Sequence, residues 1–214
     1  MESLRNKAYD LLRQSEGFFK TDMVYLAKGT FWLNGAQMAA ALVSFLLAIA
    51  FANLLTQETY GTYKYILSIG GLLGSLALSG LGSVVSRAVA RGYEGEFWKS
   101  VKLNLKWETL ILVAGVIGAA YYYVNGNHTL ALGLFIIAIF SPLHDSAELY
   151  SSYLSGKKDF RAIGVLGVGK TVIAALWIYL TILLTHNPVL MVLSYFVVHT
   201  ALNYLPLVFF KHLG

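Results

Sequence analysis

Six long apolar segments run through this chain, and 15 of its 16 Lys and Arg residues fall on one side of them. Few folds tolerate such an asymmetry. Short loops rich in Lys and Arg stay on the cytoplasmic side of a membrane. The pattern therefore predicts an all-α polytopic protein of the cytoplasmic membrane, with six transmembrane helices and both termini in the cytoplasm. The segments lie near residues 27–54, 63–87, 105–124, 130–154, 162–185 and 189–210. Each has about the 20 residues that cross roughly 30 Å of hydrocarbon. The cationic set is Arg5, Lys7, Arg13, Lys20 and Lys28, then Arg87, Arg91, Lys99, Lys102 and Lys106, then Lys157, Lys158, Arg161 and Lys170, and finally Lys211. Lys64 is the exception.

Composition agrees. Charged residues make up 13% of the chain and hydrophobic ones 57%, against about 25% charged in a soluble domain. So little polar surface cannot cover so much apolar surface in water, whereas lipid solvates the outer helix faces. The net charge of +5 sits in short loops between apolar spans, which points to anionic membrane lipids and not to nucleic acid. The absence of Cys excludes disulfides, thiolate metal sites and thiol nucleophiles.

Residues 1–24 read as an amphipathic cytoplasmic helix, with Leu4, Ala8, Leu11, Leu12, Phe18 and Phe19 at helical spacing. Residues 25–214 form the six-helix lobe. In span two, Gly70, Gly74 and Leu78 and the parallel row Gly71, Ser75 and Ser79 recur every four residues, the spacing that lets helix backbones approach closely in lipid. Asn34, Gln37, Ala41, Ser44 and Ala48 form a small or polar stripe on span one that should turn away from lipid, toward other helices or a cavity.

The stretch LLTQETYGTYKYILSIGGLLGSLALSGLGSVVSRAVAR, residues 54–91, carries an acidic-Tyr-Gly-Tyr run at Glu58, Tyr60, Gly61 and Tyr63. A Gly-rich span and a Leu81-Gly82 pair ahead of Arg87 follow it. With KGTFWLNGAQ at 28–37 and SGKKDFRAIG at 155–164, it resembles the polysaccharide transporter, or O-antigen-type flippase, family of the multidrug/oligosaccharidyl-lipid/polysaccharide exporter superfamily. The resemblance implies a flippase for polyprenyl-pyrophosphate-linked oligosaccharides that works by alternating access. It also implies two six-helix lobes around a central cavity, of which this sequence matches the N-terminal one. The second lobe would come from homodimerisation or from a split or missing C-terminal half.

Ionisable groups inside a bilayer are functional candidates by default. At 1.5 Å per residue, Asn34, Asp145, Lys170 and Asn203 fall roughly 10–16 Å below the cytoplasmic surface, with His144, Glu148 and His199 within about a turn. Ser141, Asp145, Glu148 and Ser152 share a face of span four, as do Tyr195, His199 and Asn203 on span six. Lys170 and Arg87 are candidates to attract a pyrophosphate, with Asn34, Gln37 and Asn203 as further substrate contacts. Asp145 or Glu148, with His144 or His199, are candidates to bind a coupling proton or Na⁺. The competing readings are structural: Lys170 pairs with Asp145 between helices, Arg87 snorkels to lipid phosphate, and Asn34 and Gln37 hold helices together.

GVLGVGKT, residues 164–171, satisfies the P-loop pattern, but that mechanism needs a strand before the loop, and the motif opens an apolar span instead. His144 and Glu148 make a weak metal pair with no clear third ligand. The reading therefore calls for no enzyme activity, no metal and no cofactor. A cation-coupled multidrug exporter, or a non-transporting scaffold or remnant, are the alternative functions.

Overall fold

The computed structural model describes residues 23–75, 77, 78 and 80–211; the amphipathic helix expected over 1–24 lies almost wholly outside them. The described residues form eight helices: α1 Met23–Leu54, α2 Gln57–Gly74, α3 Leu81–Ala90, α4 Glu96–Trp107, α5 Thr109–Val124, α6 His128–Gly156, α7 Phe160–Leu184 and α8 Pro188–Lys211. Five stretches are long and apolar enough to cross a membrane: Gly29–Leu54, Glu96–Val124 (α4 running into α5), His128–Gly156, Phe160–Leu184 and Pro188–Val208.

Span two departs from the expected single helix. It is broken between Gly74 and Leu81, where a turn closes through Ala77 N–H to Gly74 O and Gly80 adopts φ +90°. The physical reason lies in the glycines and serines read above as a packing row. Each interior Gly costs a helix about 1 kcal/mol relative to Ala, and the left-handed region is open to Gly without a Cβ clash. Within that row, Gly70 does pack, since a Cβ there would come within 2.8 Å of Ile137, whereas Gly71 and Gly74 face open space.

Local chemistry sets the other connections. Asn127 Oδ1 accepts from Leu130 N–H at 3.1 Å to start α6, and Asp159 Oδ1 accepts from Ala162 N–H at 2.9 Å to start α7. Both are N-caps of the preferred residue types. Gly126 at φ +78° ends α5, where Asn127 N–H bonds Tyr122 O, the wrap-around of a glycine C-cap.

Helix α6 is the central post, in contact with α2, α3, α4, α5, α7 and α8, while α1 packs chiefly along α7. Gly164 lets α7 come close to the Trp32 carbonyl and Ala36 of α1, and the Arg161 guanidinium lies over the Trp32 ring. The core is split along the helix axes. One cluster gathers Phe51, Tyr63, Ile66, Leu130, Ile137, Ile178, Ile182, Met191, Val192 and Phe196. The other gathers Val85, Val89, Phe97, Val101, Ala147, Leu149, Tyr150, Leu154 and Leu207. Between them lies a layer of polar side chains.

The two sets of connections sit at opposite ends. Glu94, in the α3–α4 turn, bonds Lys157 and Tyr153 at the end of α6, which brings two cationic connections together. At the other end, Glu58, Thr59, Tyr65, Asn127, Thr129 and Pro188 share one depression. Two basic connections thus share one end of the bundle, and three connections without Lys or Arg share the other.

Candidate functional site

The polar layer is assembled from α6, α7 and α8. Lys170 Nζ donates to Asn203 Oδ1 at 3.0 Å and lies 3.4 Å from Glu148 Oε1. Asn203, fully buried, donates from Nδ2 to the His144 carbonyl at 3.3 Å. The pairing of Lys170 with Asp145, the structural alternative read from the sequence, is not formed. Asp145 is instead bound within its own helix, by Ser141 Oγ at 3.1 Å and His144 Nδ1 at 2.8 Å. The reason is geometric: Glu148 lies one turn nearer the end of α6 and on the side that meets Lys170. His199 packs at a tilt against Tyr195 with ring centroids 4.3 Å apart and approaches the His144 ring at 6.0 Å.

Six candidates from the sequence therefore converge: His144, Asp145, Glu148, Lys170, His199 and Asn203. Three do not join them. Asn34 and Gln37 are exposed on α1. Arg87 is exposed on α3 and folds back on its own helix, with Nε donating to Ser83 O at 3.1 Å and Nη2 to Ser83 Oγ at 3.3 Å. Of the α1 stripe, Ser44 and Ala48 line a groove of about 380 Å³ between α1, α2, α7 and α8. His199, Tyr195, Thr171, Tyr60 and Lys64 also line it. The groove gives a place to Lys64, the one basic residue outside the sequence's loop pattern; its Nζ sits 5.6 Å from the Tyr60 ring centre.

A third ligand for the His144–Glu148 pair exists after all, because Asp145 brings an oxygen within 4.8 Å of both. The Lys170 ammonium beside Glu148 competes with any divalent ion there. The P-loop-like segment 164–171 lies inside α7. Its backbone N–H groups are therefore committed to helix bonds and cannot cradle a phosphate.

Sequence reasoning overlooked a second group of polar residues. Glu108, between α4 and α5, is fully buried, as is Ser146, and Asn104 is nearly so. Asn104 Nδ2 donates to Glu108 Oε1 at 2.7 Å and to Ser146 Oγ at 3.1 Å. Glu108 Oε2 and Thr200 Oγ1 are buried with no hydrogen-bond partner among the described residues. A helical projection finds the group: Lys99, Lys102 and Lys106 share one face, and Phe97, Val101, Asn104 and Glu108 share the opposite one.

Neither a search of curated proteins nor one of solved structures gives a match. A family model described as polysaccharide biosynthesis protein matches residues 26–212, nearly the whole chain and every element of the polar layer. By the extent of that match, this chain, a bundle of apolar helices with a polar layer at its centre, belongs to the polysaccharide biosynthesis protein family.

Proposed function

We propose that this chain is one lobe of a flippase that moves a polyprenyl-pyrophosphate-linked oligosaccharide, or a related polysaccharide precursor, across the cytoplasmic membrane by alternating access. The observation that carries the reading is a cation held inside the bundle, next in sequence to the groove residue Thr171, with a second cation on the groove wall. Lys170 is held by Asn203 and Glu148, and Lys64 lines the groove itself. The Lys170 ammonium, mostly buried and held by two acceptors, suits an anionic pyrophosphate; exposed Lys64 adds positive charge at the groove, and both disfavour the organic cations of a drug exporter. No covalent bond is made or broken in such a cycle. The lysine-rich end of the bundle faces the cytoplasm in this reading. A second lobe, from another copy or from further sequence, closes the cavity opposite α1 and α2.

His144, Asp145, Glu148 and His199 form the ion-coupling element in this proposal. His199 reaches the groove while the His144–Asp145 pair lies behind it, so protonation there alters the charge seen from the groove. Binding tests the reading. In nanodiscs, native mass spectrometry with undecaprenyl pyrophosphate should detect a bound lipid that Lys170→Gln and Lys64→Gln each weaken. Equal retention of a neutral polyprenol would count against it.

A further inference from the structure

The depression at the end of the bundle opposite the lysine-rich connections has a volume of about 550 Å³, within the roughly 300–1,000 Å³ of small-molecule sites. The reading above leaves it unused. Helix α2 separates it from the groove, because the two sites take different faces of that helix. Tyr60, Tyr63, Lys64 and Leu67 line the groove. Glu58, Thr59, Thr62 and Tyr65 line the depression, and Asn127 and Thr129 close it from the start of α6.

The lining narrows the chemistry of a ligand. The charged group among the lining residues is the Glu58 carboxylate, which repels an anion. Helices α2, α6 and α8 all begin at this depression, but side chains already take N–H groups of their first turns. Thr56 Oγ1 accepts from Thr59 N–H at 3.2 Å, Asn127 Oδ1 from Leu130 N–H at 3.1 Å and Asn187 Oδ1 from Val189 N–H at 2.9 Å. A divalent cation calls for more charged oxygens than one carboxylate supplies. An apolar chain would strip water from Glu58 and the threonine hydroxyls without replacing it. A neutral ligand rich in hydroxyls meets every requirement, since the carboxylate accepts and each threonine hydroxyl both donates and accepts. The Tyr65 ring is 50% exposed, and its hydroxyl lies 3.1 Å from that of Tyr122. Held at its tip, the ring offers a fixed apolar face to the C–H side of a sugar.

We propose that this depression is a second binding site, for a neutral saccharide, in which Glu58, Thr62 and Thr129 take the sugar hydroxyls and the Tyr65 ring packs against a sugar face. The glycan of a lipid-linked precursor and a free polysaccharide chain share this chemistry. The side of the membrane from which the saccharide arrives rests on the flippase reading, whereas the binding itself does not. Gly61 also lines the depression, and a Cβ there would meet nothing within 4 Å. A larger side chain at that position therefore occupies the depression without displacing a neighbour at its root.

The test is saturation-transfer NMR on the full chain in nanodiscs, with soluble maltotriose and chitotriose as probes and no lipid carrier present. The wild type should transfer saturation to at least one of the two. Gly61→Leu should abolish the transfer, and Glu58→Gln should weaken binding about tenfold, the loss that goes with a hydrogen bond to a charged group. Inorganic pyrophosphate should not displace the probe. Should Gly61→Leu fail to fold, Thr62→Val removes a lining hydroxyl at constant shape and should weaken binding in its place. Transfer to neither probe, transfer that survives these substitutions, or displacement by pyrophosphate overturns the site. A lipid-linked oligosaccharide added to the same nanodiscs separates the two sources. If it displaces the probe at lower concentration than the free oligosaccharide does, the site serves the lipid-linked glycan; equal displacement assigns the site to free polysaccharide. Loss of pyrophosphate-lipid binding with retained saccharide binding would remove the flippase reading and leave this site standing.

Discussion

Lys170 of α7 donates to Asn203 of α8 at 3.0 Å, and Asn203 passes the link to the His144 carbonyl of α6 at 3.3 Å. Three helices are thereby tied at one level, between two apolar clusters that contribute packing but no direction. Asn203 is fully buried, so its amide has few alternatives to these partners.

Replacing Lys170 with Met removes the donor and leaves a buried amide oxygen unsatisfied. The expected loss of stability is about 1–3 kcal/mol. The Glu148 contact adds little to that, because the Glu148 side chain is 50% exposed and exposed ion pairs contribute little. In a double-mutant cycle read by chemical or thermal unfolding, Lys170→Met should couple strongly to Asn203→Leu and weakly to Glu148→Gln. The opposite ranking would contradict the arrangement described.

Close helix contacts make sharp predictions for glycine. A Cβ on Gly156 would lie 2.6 Å from the Ser86 carbonyl oxygen, and one on Gly133 would lie 2.7 Å from Ile66. Gly156→Ala should therefore destabilise by about 1–3 kcal/mol as the α3–α6 contact opens. Gly71→Ala and Gly74→Ala meet nothing within 4 Å. They should be neutral or slightly stabilising, by up to about 1 kcal/mol through helix propensity. Unfolding midpoints of the three variants in one detergent separate the cases.

The joint in span two depends on one backbone conformation. Gly80 sits at φ +90°, where an L residue carries a penalty of about 1–2 kcal/mol. Gly80→Ala should lower stability by that amount, while Gly95→Ala, whose φ is −60° and whose Cβ meets open space, should not.

At the basic end, hydrogen bonds from Lys157 and then Tyr153 hold the Glu94 carboxyl below the ordinary value of 4.5. A depressed carboxyl stabilises the fold fully above its unfolded value, and the contribution is lost as pH falls through the lower folded value. The acid limb of a Tm–pH profile in the wild type should therefore steepen below about pH 4.5. Glu94→Gln should flatten that part of the limb and leave Tm near neutral pH only slightly reduced. A profile unchanged by the substitution would show that this exposed contact is too weak to matter.

Much of this molecule is legible in the residues. Five of the six expected apolar stretches, and the turns at Gly126-Asn127 and Lys158-Asp159, follow from hydropathy and capping alone. Depth along each span also puts His144, Asp145, Glu148, Lys170, His199 and Asn203 at one level, because helices that cross the same membrane share levels. Depth does not give rotation about the helix axis. Lys170 therefore meets Glu148 and not Asp145, and Arg87 ends on the outside of α3. The break at Gly74–Leu81 hid behind a spacing that favours close packing and weak helices equally. Glu108 was obscured by the lysines around it, although its i,i+4 relation to Asn104, opposite those lysines, carries the information.

The most direct test of the central claim is translocation itself. Purified chain, in whatever assembly it forms, is reconstituted into proteoliposomes containing a fluorescent polyprenyl-pyrophosphate oligosaccharide, and its transfer between leaflets is followed by enzymatic or chemical access. The account predicts transfer above protein-free vesicles that falls at least about tenfold in Lys170→Gln, as loss of a charge-assisted contact of about 1.4 kcal/mol or more requires. Transfer by folded Lys170→Gln equal to that of the wild type, or none by the wild-type protein in any assembly, would contradict it.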